Sequence, residues 1–260
     1  MINAENGIKI TFLGTGTSQG VPVINCQCAV CTSDDPRNKR LRTSIAIQTN
    51  TSSFIIDTTP DLRQQLLRYP LARLDGVLYT HAHADHIYGI DDLRRFNQLQ
   101  KERLKIYADS KTLAHLIKLF DYAFGDGELN MGLPNFEGII VEGPFYLKDV
   151  FIQPIKLMHG NQEILGYRIG NVAYCTDVSR IPEESYQLLD NLDVLILGAL
   201  RERSHPHHFS VTEALAEAEK IKAKQTYFIH MSHKIEHYSR QKTLPPGMNF
   251  AYDGLVLEVT

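Results

Sequence analysis

Short runs dense in β-branched and aromatic residues alternate along the chain with stretches whose apolar positions recur at helical spacing. The runs with strand composition and length are Ile8 to Leu13, Ser44 to Thr49, Phe54 to Ile56, Val77 to Tyr79, Val150 to Ile155, Val172 to Cys175, Val194 to Leu197 and Thr226 to Ile229. Helical patterns lie between them at Asp61 to Arg68, Asp91 to Arg103, Ser110 to Phe124, Pro182 to Leu189 and Val211 to Lys222. Ser210, with Glu213 three residues on, has the spacing of a capping box that opens the last of these helices. Asp253-Gly254 predicts the turn of a C-terminal hairpin between Asn249–Tyr252 and Leu255–Val259. Strands come first and then mix with helices, without the strict alternation of a doubly wound sheet. Two packed sheets with helices outside suit that order, although periodicity alone leaves other α/β layouts open. No repeat, low-complexity tract or linker breaks the chain, so residues 1–260 are expected to form one domain.

A chain of 260 residues can bury about three quarters of its unfolded surface and needs no disulfides to hold a core. Its 43% hydrophobic and 22% charged residues and net charge of −3 are those of an ordinary globular protein. The basic footprint of a protein that grips long nucleic acid is missing. The segment Met1 to Gly7 has neither a basic n-region nor an apolar h-region, and no run approaches the ~18 apolar residues of a membrane helix. The expected location is therefore cytoplasmic, with no membrane partner. In such a reducing compartment, the cluster Cys26, Cys28 and Cys31 points to metal ligation before disulfides.

The strongest chemical signal is His81-Ala82-His83-Ala84-Asp85-His86, close behind the apolar Gly76-Val77-Leu78-Tyr79. At a strand end His81 and His83 project to one side, and the turn that follows brings Asp85 and His86 round beside them. Four ligand-type side chains in one turn can serve two metal ions, and imidazole is the commonest metal ligand. Cys-x-Cys-x2-Cys offers three thiolates from one loop, and three cysteines with a histidine make a closed tetrahedral zinc site. Cys175 stands apart and reads as a buried small hydrophobe. A second histidine group, His205-Pro206-His207-His208, lies just before the Ser210 cap, where a helix N-terminus lowers the pKa of an imidazole. Gly14 to Gly20 lacks the lysine of a phosphate-binding loop and reads as a tight turn.

His81 to His86 carry the His-x-His-x-Asp-His motif of the metallo-β-lactamase superfamily, which this sequence resembles. Leu157-Met158-His159-Gly160, Tyr174-Cys175-Thr176-Asp177 and Phe228-Ile229-His230 resemble its later ligand motifs. Phe12 to Pro22, the three cysteines, His230-Met231-Ser232-His233, Leu244-Pro245-Pro246-Gly247 and Tyr252-Asp253-Gly254 are similar to the phosphoribosyl cyclic phosphodiesterases of phosphonate-degradation operons. The similarity is weakest between about Asp92 and Gly143, a region expected to shape the substrate pocket.

The resemblance implies the αββα sandwich of that superfamily and a hydrolase with two divalent ions, Zn²⁺ or Mn²⁺. It places one ion with His81, His83 and His159, the other with Asp85, His86 and His230, and Asp177 between them. It also implies a structural Zn²⁺ held by Cys26, Cys28, Cys31 and His233, with His237 as the rival fourth ligand. Asp57 matches the superfamily's first-motif aspartate, which accepts a hydrogen bond from a ligand histidine; a helix-capping Asp ahead of Pro60 fits it equally on sequence alone. His208, or the adjacent His207, takes the position of the general acid, and Asp57 and Asp85 complete the catalytic set. The implied reaction is hydrolysis of a small cyclic ribose phosphate, or a related phosphodiester, by a hydroxide shared between the metals. Alternatives on the same scaffold are a tRNA 3′-end endoribonuclease, a thioester or lactone hydrolase, and a non-catalytic binding protein of a cofactor pathway. A small-molecule phosphodiester is the expected partner, and a homodimer is left open. Arg94, Arg95, Arg201 and Arg203 are candidate phosphate contacts without an assignment.

Overall fold

A computed structural model describes residues 7–125 and 132–260 of the chain. The sequence readings of residues 1–6, and of 126–131 within the Asp92 to Gly143 region, lie outside the described residues. Strands β1 (Ile8–Gly14), β2 (Ser44–Gln48), β3 (Ser53–Ile56), β4 (Gly76–Leu78), β5 (Leu104–Ala108) and β6 (Phe136–Ile140) build the first sheet. The second holds β7 (Phe145–Leu147), β8 (Val150–His159), β9 (Gln162–Ile169), β10 (Val172–Cys175), β11 (Val194–Gly198), β12 (Gln225–Ile229) and β13 (Met248–Phe250). The last strand, β14 (Val256–Val259), returns to the first sheet beside β1. Both sheets are mixed: β3 to β6 and β10 to β13 run parallel, and the remaining neighbours are antiparallel.

Strand periodicity explains why the sheets stack. Ile45 and Ile47, Val172 and Tyr174, and Val194 and Ile196 point into one core between the sheets. The residues between them point the other way: Ala46 toward the outer face of the first sheet, Ala173, Cys175, Leu195 and Leu197 toward that of the second. Such strands are apolar on both sides, which is why they read as continuous hydrophobic runs. Burying each large aliphatic side chain contributes ~1.5–3 kcal/mol. Helices α1 (Leu62–Arg68), α2 (Ala84–Ile87), α3 (Arg94–Gln100) and α4 (Ser110–Leu119) follow strands of the first sheet. Leu62 of α1, Phe96 of α3 and Leu113 and Leu116 of α4 cover its outer face. Of α5 (Glu183–Tyr186), α6 (Val211–Ile221) and α7 (His237–Gln241), α6 supplies most of the cover on the other side, through Val211, Ala214, Ala218 and Ile221. Its start is the expected capping box: the Ser210 hydroxyl accepts from the Glu213 N–H, and the Glu213 carboxylate accepts from the Ser210 N–H. The layers therefore run helix, sheet, sheet, helix.

The C-terminus departs from the expected hairpin. β13 pairs parallel with β12, and β14 pairs antiparallel with β1, so the two strands close different sheets. Asp253-Gly254 is a turn, but one that carries the chain between layers. The Asp253 carboxylate accepts from the Thr15 hydroxyl (2.8 Å) and the Leu41 N–H (2.7 Å), and the Gly254 N–H donates to the Phe12 carbonyl (2.8 Å). Two open sheet edges satisfy the backbone of these strands better than an isolated two-stranded ribbon would. The expected helix from Asp91 to Arg103 ends at Gln100, where Lys101 turns left-handed, and Leu104 begins β5. The one from Ser110 to Phe124 gives way after Leu119 to a 3-10 turn at Asp121–Ala123. β9 was hidden by Gln162-Glu163 and Gly166. A Cβ at Gly166 would meet a Leu157 methyl and the Tyr174 carbonyl at 2.8 Å, so only glycine lets these strands close up. Among the described residues no helix is long and apolar enough to cross a membrane.

Candidate metal centre

The residues expected to hold metals leave the ends of strands in both sheets and converge. His81 lies just beyond β4, and α2, the turn that follows, carries Asp85 and His86; His159 ends β8, Asp177 lies two residues past β10, and His230 directly follows β12. Ligand atoms of His81, His83 and His159 lie within 4.8 Å of one another, as do those of Asp85, His86, Asp177 and His230. Asp177 stands between the two groups. Its Oδ1 is 3.1 Å from His230 Nδ1 and 3.4 Å from His86 Nε2, while Oδ2 is 4.0 Å from His81 Nε2 and 3.9 Å from His208 Nδ1.

Hydrogen bonds behind the rings fix which nitrogen faces inward. Asp57, wholly buried, takes His86 Nδ1 at 2.8 Å and both donors of Thr80, at 2.8 Å each. Thr80 in turn touches His81 Nδ1 at 3.0 Å. His159 donates Nδ1–H to the His207 carbonyl at 2.7 Å, which leaves Nε2 to the centre and ties the β8 end to the loop of His208. Gly160 makes room for that loop: a Cβ there would sit 2.6 Å from the His207 ring, and its φ is +60°. Asp57, Asp177 and His230 all have positive φ, at 64°, 53° and 59°. For residues with a Cβ this conformation costs of order 1–3 kcal/mol and persists only where the surroundings impose it, as active sites do.

The electrostatics suit cations. Burial holds the imidazoles of His81, His83 and His230 below their usual pKa, so they are neutral bases with a free lone pair. Burial opposes ionisation of Asp85 and Asp177, but neighbouring histidines outweigh it and hold both carboxyls well below the usual range: His86 beside Asp85, and His230 and His86 beside Asp177. His81 Nε2 is buried with no hydrogen-bond partner among the described residues, and His86 Nε2 and His230 Nδ1 face Asp177 Oδ1 at 3.4 and 3.1 Å without hydrogen-bond geometry, a costly arrangement unless a cation lies between these nitrogens and the carboxylate. The donor set thus fits a pair of divalent ions.

A second group forms on the loop after β1. Cys26, Cys28 and Cys31 place their sulfurs 3.2, 3.4 and 3.6 Å from His233 Nδ1. A tetrahedral zinc with ~2.3 Å sulfur and ~2.0 Å nitrogen bonds has sulfur–nitrogen edges of about 3.5 Å. The backbone N–H of Cys31 brings the Cys28 thiol down to about 6, toward the thiolate that zinc requires. His237 is not part of this group; it packs on Phe250 and Tyr252, and its N–H donates to Asn38.

A family model described as the beta-lactamase superfamily domain matches residues 52–231, which include every candidate ligand from His81 to His230. The chain is 42% identical to the solved structure of a new diphosphatase from the PhnP family, with a TM-score of 0.91 and 97% of each chain covered. The chain belongs to the PhnP family of the beta-lactamase superfamily. It is also 36% identical to the octanoyltransferase of Porphyromonas gingivalis over 253 residues, which are 95% of this chain but 51% of that protein. The chain thus spans about half the length of that curated relative. Zinc-bound PqqB of Methylobacterium extorquens shares the fold, with a TM-score of 0.78 at 20% identity.

In this PhnP-family chain, the structure brings the implied ligands together in two separate places, His237 excepted. It sets His208, and not the His207 ring, beside Asp177, although His208 also lies close enough to His159 and Asp177 to count as a ligand candidate. Asp57 serves the His86 ring and does not cap α1. Arg94 pairs with Asp91, and Arg201 donates to the carbonyls of Arg203 and Ser204, so neither points to phosphate. Sequence reasoning missed Thr80 and Arg40. The buried Arg40 guanidinium donates to the Ser232 carbonyl (3.1 Å), the Ile235 carbonyl (2.9 Å) and Asn38 Oδ1 (3.3 Å), clamping the segment that carries His230 and His233. The Gly14 to Gly20 turn braces the same segment, through the Thr17 N–H on the Met231 carbonyl and the Met231 N–H on the Thr15 carbonyl.

Proposed function

We propose that this hydrolase cleaves a phosphodiester or diphosphate bond in a small molecule, at two divalent ions held by His81, His83 and His159 on one side and Asp85, His86 and His230 on the other, with Asp177 between. The observation that carries this reading is the convergence of partnerless buried ring nitrogens on ionised carboxylates. Chemistry at phosphorus is supported by the likeness to the PhnP-family diphosphatase. Imidazoles with carboxylates suit Zn²⁺ or Mn²⁺ equally.

When bound, such ions would supply a hydroxide at neutral pH and offset charge on the phosphoryl group. The chain's own side chains do the rest. Asp57 and Thr80 hold the His86 and His81 rings at fixed angles. Burial and the nearby His230 push the pKa of His208 down to about 3, so its ring is neutral before substrate arrives. The negative charge of a bound phosphoryl group raises that pKa, so His208 takes up a proton from solvent as substrate binds and gives it to the departing oxygen. Cys26, Cys28, Cys31 and His233 would hold a structural zinc that secures the loop beside His230.

Asp177→Ala should abolish turnover and lose at least one metal ion, measured by elemental analysis beside the wild type. Cyclic ribose phosphates, a diphosphate, a thioester and a pre-tRNA form the substrate panel. An active preparation free of metal would overturn the reading.

A further inference from the structure

The helical turn of α2 carries one more exposed group. Tyr88 closes that turn, with its N–H on the Ala84 carbonyl, three residues after Asp85. Residues three apart on a helical turn are neighbours on its surface, so Tyr88 lies one turn along α2 from Asp85, a candidate ligand. Tyr88 is 53% exposed and is not a member of the apolar cores. It does not stand alone. Phe120 meets it edge-to-face at 6.4 Å between centroids, and Tyr122 meets Phe120 in the same way at 6.5 Å. Tyr122 is itself 45% exposed, and its hydroxyl donates to Asp91 Oδ1 at 2.8 Å, with Arg94 held on the other Asp91 oxygen. The three rings thus form a ledge whose outermost members are anchored, one by the α2 turn and the other by Asp91. Phe120 and Tyr122 come from the region least like the subfamily, which is where a difference in substrate would be written.

Exposed, oriented aromatic rings beside a phosphoryl site are the means by which proteins hold bases, because every base has a face that stacks. We propose that the Tyr88–Phe120–Tyr122 ledge binds a nucleobase, and that the substrate of the metal centre is therefore a nucleotide and not a bare sugar phosphate. This rests on the proposed phosphoryl chemistry at the centre. Burial and the Asp91 bond push the Tyr122 hydroxyl up to about 12, so the ledge carries no phenolate to repel an incoming phosphate.

Two esters with the same leaving group isolate the ledge: the p-nitrophenyl ester of thymidine 5′-phosphate, which has a base, and methyl p-nitrophenyl phosphate, which has none. The metal-loaded wild type should prefer the thymidine ester by about tenfold or more in kcat/KM, the size of one base–aromatic stack. Tyr88→Ala should bring that ratio close to one, mainly through KM, and Tyr88→Phe should keep it. A wild type with no preference, or a Tyr88→Ala variant that retains it, would overturn the proposal. Titration calorimetry with thymidine 5′-monophosphate tests the ledge without turnover. Tyr88→Ala should bind it about tenfold more weakly than wild type, and equal affinity counts against the ledge. If neither ester is hydrolysed, the phosphoryl reading fails separately, and the titration still decides the ledge.

Discussion

His208 reaches the centre through one nitrogen, while its neighbour His207 contributes a carbonyl to His159 and a ring to the space above Gly160. An acid acts on the leaving group, so its value depends on how badly that group needs a proton. His208→Ala should lose most of the ~10²–10⁴ that general acid catalysis supplies when a ribose alkoxide departs, and much less when nitrophenolate does. Its metal content should match the wild type, and a deficit would make His208 a ligand. Residues of this kind were legible because they are clustered: four ligand-type side chains crowd His81 to His86, and His207 and His208 lie three and two residues ahead of the Ser210 cap. Thr80 and Arg40 were not, because a lone threonine or arginine has no spacing to read. Their roles exist only once the fold sets Thr80 against Asp57 and Arg40 against the Ser232 and Ile235 carbonyls.

At the scale of an element, the loop after β1 is short of regular structure and depends on its side chains for shape. Val21, Val30 and Cys31 make a small cluster of their own, apart from the three large cores. Zinc sites contribute on the order of 10 kcal/mol of apparent binding energy in isolated peptides, and a smaller effect is expected here, where the three large cores are built without the loop's residues. Cys28→Ser should lower the melting temperature by ~2–4 °C for each kcal/mol lost, while the metals at His81 to His230 stay bound. His237→Ala should keep the zinc, and loss of zinc in that variant would reassign the fourth ligand. Elements buried on both faces, such as β2, β10 and β11, were legible as apolar runs. The partners of β13 and β14 were not, since pairing depends on which sheet edge lies open nearby, and a turn sequence such as Asp253-Gly254 suits a crossing between sheets as well as a hairpin.

On the scale of the whole molecule, Asp253 links the chain between β13 and β14 to Thr15 beyond β1 and to Leu41 ahead of β2. Burial raises its carboxyl to about 7 against an ordinary value of 3.8, although the Leu41 and Thr15 donors pull the other way. The sign follows from which state holds more protons. Between pH 4 and 7 the folded chain keeps a proton that the unfolded chain releases, so this carboxyl's contribution to stability is complete below pH 4 and lost as pH rises toward 7. At ~1.4 kcal/mol for each pH unit between the two values, the full change is on the order of 4 kcal/mol. Asp253→Asn removes the titration. Its melting temperature relative to wild type should therefore improve steadily from pH 4 to pH 7, and a constant difference across that range would exclude Asp253 as the titrating group.

Glycine would adopt the backbone of Asp57, Asp177 and His230 without steric cost. At these positions the sequence that folds best is therefore not the one that works. A library of this chain sorted for heat resistance alone, with neither metal nor substrate present, would drift toward glycine at Asp177 and His230, retaining the sandwich and discarding the chemistry.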